Sequence, residues 1–187
     1  MLAIKLNNGV SPKHRIMNYH QFFVDNIDDN STVLDIGCGF GIVSSKLAEK
    51  AREVVAIDIS KSAIDLARSK YQKKNIKYIN ADATTYDFNQ KFDYIVLSNV
   101  LEHIKNRKEF LTKIKPLSKC FLIRVPMINR SWLSLYKKEL GLECKHDKSH
   151  YIEYTFDTFS QEIESAGFKI GAYSIQFGEI WAKLDLN

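Results

Sequence analysis

The chain has 187 residues, of which 45% are hydrophobic and 26% charged, as is typical of a globular domain rather than a disordered or fibrous chain. A net charge of +5 raises the question of an acidic partner, such as nucleic acid or an anionic membrane surface. Three cysteines do not make a secreted disulfide framework. No apolar run approaches the roughly 20 residues that span a bilayer, and residues 1–14 lack a signal-peptide pattern. We therefore expect a cytoplasmic protein.

Short apolar runs alternate with helical patterns along most of the chain. An amphipathic helix around His14–Ile27 is predicted to come first. The runs that follow are rich in β-branched and aromatic residues, which favours strands buried on both faces of a parallel sheet: Val33–Ile36, Val54–Ile57, Ile76–Ile79, Tyr94–Leu97 and Phe121–Val125. Helices are predicted between them at Ile42–Lys50, Ser60–Lys73 and Asn106–Ile114. This alternation predicts βαβ units with right-handed crossovers.

The last third of the chain follows a different pattern. Thr155–Ala166 is predicted to form a helix with Thr155 as its N-cap. Phe168–Gln176 and Ile180–Leu186 flank a short glycine-containing loop and predict a β-hairpin, which adds an antiparallel strand. Met127–Tyr154 breaks the alternation, and long irregular insertions in compact domains are usually lids or binding loops. We expect one domain over residues 1–187, with a substrate cap at about 127–154.

The strongest motif is a glycine loop that follows the first strand. Asp35 is followed by Gly37, Gly39 and Gly41, so a glycine stands at every second position before the next helix. The dinucleotide fingerprint spaces its third glycine differently, and a carboxylate beside a pyrophosphate would be poorly placed. Asp35 suits a ligand that carries positive charge. A tight structural turn is the alternative interpretation of this loop.

Acidic and polar residues also follow the next three strands. Asp58 could accept hydrogen bonds from two ribose hydroxyls, or it could cap the next helix. Asp82 could accept from an adenine amino group, or it could be a solvated loop carboxylate. The fourth strand runs into the segment Ser98–His103. Because open α/β sheets bind ligands at the carboxyl ends of their strands, these residues are expected to share one site.

With this ordered set of motifs, the chain resembles the class I S-adenosylmethionine-dependent methyltransferases, in the group that acts mostly on small molecules, lipids or sugars. The resemblance implies an α/β fold, a Rossmann-like doubly wound seven-stranded sheet of order 3-2-1-4-5-7-6 with strand 7 antiparallel. It also implies S-adenosyl-L-methionine as the cofactor. That cofactor carries a sulfonium and an ammonium but no phosphate, which is consistent with acidic residues around the loop.

The resemblance implies the following cofactor-binding residues: Asp35, Gly37, Cys38, Gly39, Gly41, Asp58, Ile59, Asp82, Ala83, Ser98 and Asn99. The loop would surround the methionine part, Ile59 would pack on adenine, and Ser98 and Asn99 would lie near the ammonium and the methyl group. Arg15 of the leading helix would pair with the cofactor carboxylate, since arginine suits bidentate pairing. A surface arginine is the equal alternative.

Histidines are the candidates for a general base, His150 first and His103 second. Some relatives use a Glu-His pair like Glu102 and His103 to bind a divalent metal, but they carry a carboxylate where this chain has Asn99, and the alternative for the pair is packing at a helix start. The cluster Cys144, His146 and His150 falls short of the four ligands of structural zinc. We therefore expect no metal, and predict that residues 145–151 line the acceptor pocket or form a solvated loop.

The predicted function is methyl transfer to a small-molecule, lipid or sugar acceptor. The alternatives are an RNA methyltransferase, which the basic charge favours, and a non-catalytic S-adenosylmethionine-binding protein. The segment Asn99-Val100-Leu101 lacks the Pro-Pro-aromatic pattern of enzymes that methylate base amines in duplexes, so nucleic acid is not the expected partner. The sequence does not set the oligomeric state.

Overall fold

A single mixed sheet organises the chain. The computed structural model describes residues 12–186, with side chains from Arg15 onward. In this part of the chain seven strands pair in the order β3-β2-β1-β4-β5-β7-β6. The strands are β1 Thr32–Ile36, β2 Glu53–Asp58, β3 Ile76–Asn80, β4 Tyr94–Ser98, β5 Cys120–Pro126, β6 Phe168–Gln176 and β7 Glu179–Leu186. β7 is antiparallel to both neighbours and the other pairs are parallel, so the predicted fold class and strand order are confirmed.

Helices lie on both faces of this sheet. They are α1 Pro12–Met17, α2 Tyr19–Asp25, α3 Ile42–Leu47, α4 Lys61–Lys70, α5 Arg107–Ile114, α6 Trp132–Glu139 and α7 Phe156–Ser165. Single 3-10 turns add Leu101–His103, Lys115–Leu117 and Ile128–Arg130. One face of the sheet packs against α5 and α7 through residues such as Phe110 and Phe159, and the other packs against α2 and α3 through Phe23 and Leu47.

The predicted leading helix is divided in two. Asn18 stands between α1 and α2 with a φ of 45°, in the left-handed region, where no α-helix continues. Asparagine adopts that conformation more readily than most residues. The apolar residues keep their helical spacing in the sequence on both sides of Asn18, but the helix is interrupted there. Tyr19 and Phe23 then form the buried side of α2.

Two helix starts follow the capping signals in the sequence. The Ser60 hydroxyl accepts a hydrogen bond from the backbone N–H of Ala63, so only two residues separate the end of β2 from the start of α4. Thr155 and Thr158 exchange hydrogen bonds between side chain and backbone in a capping box at the start of α7. Both predicted N-caps are confirmed.

Residues 127–154, which we call the cap, differ from the irregular insertion expected from the sequence. They contain the 3-10 turn Ile128–Arg130 and the helix α6. The two ends of the cap meet, because Met127 and Tyr154 form an isolated bridge. The hairpin tip holds the cap as well, since the Met127 N–H donates to the carbonyl of Gly178. The cap thus begins and ends at the same place, beyond the carboxyl end of β5. Within residues 12–186, no helix has the length and apolar character needed to cross a bilayer.

Candidate active site

The glycine loop between β1 and α3 has a backbone conformation that requires glycine. Gly37, Gly39 and Gly41 have φ angles of 68°, 52° and 78°. A side chain on Gly37 would meet Val100, whose Cγ2 lies 2.5 Å from the Cβ that alanine would add. Glycine is therefore required at this position for space as well as for backbone conformation.

The amide groups of this loop donate to protein acceptors. The N–H groups of Gly37 and Cys38 both donate to the carbonyl of Ile57, and that of Gly41 donates to the carbonyl of Cys38. The Gly39 N–H donates to Asp58 Oδ2 at 2.8 Å. A phosphate-binding loop presents its amides to the ligand instead. The geometry therefore does not fit a dinucleotide and agrees with the glycine spacing.

Asp58 stands at the end of β2 and joins two elements of the site. Its Oδ2 accepts from the loop at Gly39, while its Oδ1 accepts from the backbone N–H of Ser60 at 2.8 Å. Each carboxylate oxygen can accept more than one hydrogen bond. The helix-capping role and a ribose-binding role are thus compatible in one carboxylate.

Asp82 stands in the turn after β3. Its Oδ1 accepts hydrogen bonds from the backbone N–H of Thr84 at 2.8 Å and from the Thr84 hydroxyl at 2.7 Å. Asn80 supports the neighbouring turn by donating to the backbone carbonyls of Asp58 and Ile59. The two aspartates are therefore fixed relative to each other, and Asp82 keeps Oδ2 for a ligand.

A cleft of about 810 Å³ opens along the carboxyl ends of β1 to β4. The predicted cofactor residues that line it are Gly37, Asp58, Ile59, Asp82, Ala83 and Asn99, and His103 lines it as well. Lys105 and Lys113 are part of the same wall, so the cleft is less uniformly acidic than the sequence suggested. Asp35, Cys38, Gly39, Gly41, Ser98, Arg15 and His150 are not among the lining residues. Arg15 lies in α1 with an exposed side chain.

Asp35 lies beneath the loop rather than in the cleft. It is 1% exposed, and its carboxylate accepts a hydrogen bond from the Ser44 hydroxyl of α3. Burial raises the pKa of Asp35 to about 7, the negative charge of Asp58 raises it further, and the Ser44 hydrogen bond opposes the rise. Asp35 therefore changes charge near neutral pH, in a position where a cationic ligand above the loop would favour the carboxylate.

The two candidate bases are in contact. The rings of His103 and His150 meet edge to face with centroids 4.7 Å apart. His103 belongs to the cleft wall, whereas His150 is buried behind it and bonded through Nδ1 to Glu153 Oε1 at 2.7 Å. The structure thus brings the pair together but reverses their expected order of access to the cleft. Glu153 is a partner that the sequence analysis missed, although it stands three residues after His150.

A hydroxyl group determines which nitrogen of His103 is basic. The Ser149 hydroxyl lies 3.0 Å from His103 Nδ1 and donates its single proton to Asp147 Oδ1 at 2.6 Å. Ser149 must then accept from His103, so Nδ1 carries the imidazole proton and Nε2 is the basic nitrogen. Burial and the neighbouring His150 lower the pKa of His103, which favours this neutral form at neutral pH.

Glu102 lies next to this pair in the protein interior. It is fully buried, and neither carboxylate oxygen has a hydrogen-bond partner among the described residues. Burial raises its pKa to about 8. Ligand atoms of Glu102, His103 and His150 lie within 4.8 Å of one another, close enough to hold a cation. Among residues 12–186, Cys144 belongs to no such cluster with the histidines.

A buried arginine orients Asn99 from the neighbouring strand. Arg124 of β5 donates from Nε to Asn99 Oδ1 at 3.1 Å, and its guanidinium stacks 3.6 Å from the ring centroid of Tyr19. Glu179 of β7 is fully buried and pairs with Arg124 at 3.5 Å. Asn99 therefore has its NH2 group and a second lone pair of Oδ1 for a ligand in the cleft. The signal in the sequence was an arginine within the apolar run Phe121–Val125.

Comparisons with known proteins agree with this geometry. A family model described as a methyltransferase domain matches residues 33–119. A ubiquinone biosynthesis O-methyltransferase from Coxiella burnetii is 29% identical over 159 residues, which cover 74% of this chain and 63% of that protein. N-methyltransferase 4 from Papaver somniferum is 38% identical over 95 residues, which cover 47% of this chain and 27% of that protein. The chain thus spans less than two thirds of the length of these curated relatives.

A solved structure shares the fold. The magnesium protoporphyrin IX methyltransferase from Synechocystis, crystallised with bound SAH, superimposes with a TM-score of 0.71 at 18% identity, over 94% of this chain and 83% of that one. The fold expected from the sequence agrees with this superposition. The chain is thus similar to methyltransferases in sequence over residues 33–119 and in fold over most of its length.

Proposed function

We propose that the chain transfers a methyl group from S-adenosylmethionine to a small-molecule, lipid or sugar acceptor, with His103 as the base at the cleft. The observation that carries the proposal is the position of His103. It lines the same cleft as Gly37, Asp58 and Asp82, and its Nδ1 is held by Ser149 so that Nε2 is left basic. A cofactor site and a proton acceptor are therefore combined in one cavity.

The residues of the cleft fit this cofactor. Its volume is within the range of sites that enclose a molecule of this size. Asp58 is fixed by two backbone N–H groups and keeps lone pairs for ribose hydroxyls. Ile59 is 71% exposed beside it, so an apolar side chain is available to pack on a base. The N–H groups of Gly37, Cys38, Gly39 and Gly41 donate to protein acceptors, which suits a ligand without phosphate.

The bound cofactor supplies an electrophilic methyl group whose transfer leaves a neutral thioether. The protein has to align an acceptor nucleophile with that methyl group, which is largely a positioning effect. An acceptor hydroxyl or ammonium must lose its proton, and Nε2 of His103 receives it. Asp147 and Ser149 hold the imidazole in the required tautomer, and the buried pair His150 and Glu153 supports its ring from behind.

Small acceptors are favoured by the relatives and by the cap. Two of the curated relatives are named as an O-methyltransferase of ubiquinone biosynthesis and as an N-methyltransferase, whereas another, 33% identical over 85 residues, is named as a ribosomal RNA small subunit methyltransferase. Tyr151 of the cap lines the cleft together with Ile104 and Phe110, which gives the wall near His103 an apolar character. The same wall is joined to the cap because the Tyr151 N–H donates to the carbonyl of Glu102 at 2.7 Å.

The experiment is a methyl-transfer assay with labelled S-adenosylmethionine on phenols, amines, sugars, lipid extracts and total RNA. We expect transfer to one class of small acceptor, and His103→Ala should lower kcat by about 10²–10⁴-fold while leaving the cofactor Kd nearly unchanged. Because His150 packs against His103, His150→Ala is expected to lower turnover with the same unchanged Kd. Lys148→Ala, an exposed neighbour in the same segment, is the control. Transfer to RNA alone, or cofactor binding without any transfer, would contradict the proposal.

A further inference from the structure

Helix α6 of the cap exposes its apolar side chains to solvent. Its exposed residues include Trp132 at 76%, Leu133 at 44%, Leu135 at 39% and Tyr136 at 51%. The single residue of α6 that is buried is Ser134. A helix that packs on a protein core buries its apolar side chains, as α7 does with Phe159 and Ile163. Helix α6 presents its apolar residues outward instead.

The exposed apolar side chains form one continuous surface. At about 100° per residue, Trp132 and Tyr136 lie opposite Ser134, and Leu133 and Leu135 lie at the two edges of the same arc. Leu140 and Leu142, which follow the helix in the chain, are 54% and 58% exposed as well. We call these six residues the apolar face of the cap. Contiguous exposed apolar patches of this kind mark protein or membrane interaction sites.

Basic and aromatic residues around this face indicate what covers it. The cap carries five basic residues, Arg130, Lys137, Lys138, Lys145 and Lys148, of which Arg130 pairs with the buried Glu179 and Lys145 pairs with Glu143. It has four carboxylates, and one of them, Glu153, is buried against His146 and His150. Trp and Tyr favour the headgroup region of a bilayer, and lysines beside an apolar face reach lipid phosphates. We propose that the apolar face of the cap binds peripherally to the surface of an anionic bilayer.

The hairpin tip adds to the same end of the molecule. Phe177 is 51% exposed at the turn between β6 and β7. The next residue, Gly178, lies so close to Arg130 that an added Cβ would be 2.6 Å from its Cα. An exposed aromatic side chain thus stands beside the turn that leads into α6.

Hydrogen bonds connect this surface to the candidate active site. Ser134 of α6 lies 3.2 Å from His146 Nδ1, and the backbone N–H of His146 donates to Glu153 Oε1. The same oxygen bonds His150, which contacts His103 at the cleft. A bilayer bound to α6 would therefore lie against the segment that lines the acceptor side of the cleft.

Vesicle binding tests the proposal with the intact chain. The protein has two tryptophans, Trp132 exposed and Trp181 only 3% exposed, so an emission change on binding reports Trp132. We expect co-sedimentation with vesicles of mixed phosphatidylcholine and phosphatidylglycerol, weakening as salt rises, and a blue shift of the Trp132 emission. Vesicles of phosphatidylcholine alone should bind more weakly by about fivefold for each lysine engaged.

Variants separate insertion of the apolar face from simple charge adsorption. The double variant Trp132→Gln, Tyr136→Gln should lower the vesicle affinity by about tenfold or more, because it removes aromatic side chains from the interface. Lys137→Ala, Lys138→Ala should reduce both the affinity and its salt dependence. The control is Leu66→Gln, which changes a leucine that is 37% exposed on α4. Thermal melts that match the wild type establish that each variant folds.

Three results would overturn the proposal. The first is no binding to anionic vesicles. The second is binding in which the Trp132 emission does not shift. The third is a concentration-dependent dimer in sedimentation velocity that Trp132→Gln dissociates, since this would assign the face to a second copy of the chain. None of these results depends on methyl transfer, so failure here and failure of the proposed function are distinguishable.

Discussion

Asp58 Oδ2 accepts a 2.8 Å hydrogen bond from the backbone N–H of Gly39, which ties the carboxylate at the end of β2 to the glycine loop after β1. The other oxygen accepts from the Ser60 N–H at the start of α4. One side chain therefore fixes the distance between the loop and the second strand. These are the two places at which the family resemblance puts the methionine and ribose parts of the cofactor.

Asp58→Asn should weaken cofactor binding and also loosen the loop. Asparagine has one acceptor oxygen, so its NH2 group would face one of the two backbone donors, and a buried or half-buried donor without a partner costs about 1–3 kcal/mol. We expect a cofactor Kd raised by about tenfold or more in calorimetry, together with a lower Tm. Asp65→Asn, an exposed carboxylate that pairs with Lys61, is the matched control. Wild-type affinity in Asp58→Asn would remove this residue from the site.

Much of the fold could be predicted from the sequence because the signals are local. Buried parallel strands are short apolar runs, and Ser60 and Thr155 carry their capping oxygens to a donor three residues away. The break at Asn18 could not be predicted, since apolar periodicity continues through it. Helix α6 was missed because it lies in the cap, which breaks the alternation of strands and helices that identified the other elements.

Some residues of the candidate site could likewise be predicted from local sequence patterns, and others could not. The residues at the ends of β1 to β4 could be found because the chain order of strand ends follows from the βαβ rhythm. The contact between Arg124 and Asn99 depends on β5 lying next to β4, where Ser98 pairs with Arg124 in the sheet register. The order of His103 and His150 depends on how the cap folds back over the 3-10 turn at Leu101–His103. Such contacts are set by tertiary structure and leave no spacing rule in the sequence.

Gly37→Ala should perturb the cleft as well as the stability. Alanine would be strained at the left-handed φ of 68°, and its Cβ would press on Val100, which lines the cleft. Left-handed backbone costs about 1–2 kcal/mol and overpacking adds about 1–3 kcal/mol. Gly141→Ala in the cap is a matched control, because Gly141 has the same φ of 68° with nothing within 4 Å of the added Cβ. We expect a larger Tm loss for Gly37→Ala, and a loss of cofactor affinity only there. Equal Tm losses would mean that Val100 can move away from the added Cβ without loss of stability.

The pKa of Asp35 predicts how stability depends on pH. Burial raises this pKa to about 7, from an ordinary value near 3.9. Between about pH 4 and pH 7 the folded chain holds a proton that the unfolded chain has released, so the free energy of unfolding falls as pH rises through this window. We expect the Tm of the cofactor-free protein to fall between pH 5 and pH 8. In Asp35→Asn the Tm should fall less steeply over this pH range. The fall that remains is expected from Glu102, whose pKa is raised to about 8.

The same carboxylate predicts the opposite pH trend for the cofactor. A cationic ligand favours ionised Asp35, so cofactor affinity should rise with pH up to about 7 and then level off. Calorimetry of Asp35→Asn should give weaker binding without this rise. If the wild type bound equally well at pH 5.5 and pH 8, Asp35 would not interact with the charge of the cofactor.

Removal of metal ions tests the role of Glu102. Burial raises the pKa of its carboxyl to about 8, so a cation at this cluster would have to displace a proton from Glu102. We therefore expect turnover to survive dialysis against a strong chelator, with or without added Mg²⁺ or Zn²⁺. Glu102→Gln imitates the neutral carboxyl and should retain turnover, whereas His103→Ala should not. If instead chelation abolished turnover, one cation restored it, and Glu102→Gln prevented that restoration, the cluster of Glu102, His103 and His150 would be a metal site. His103 would then act as a ligand rather than as a base.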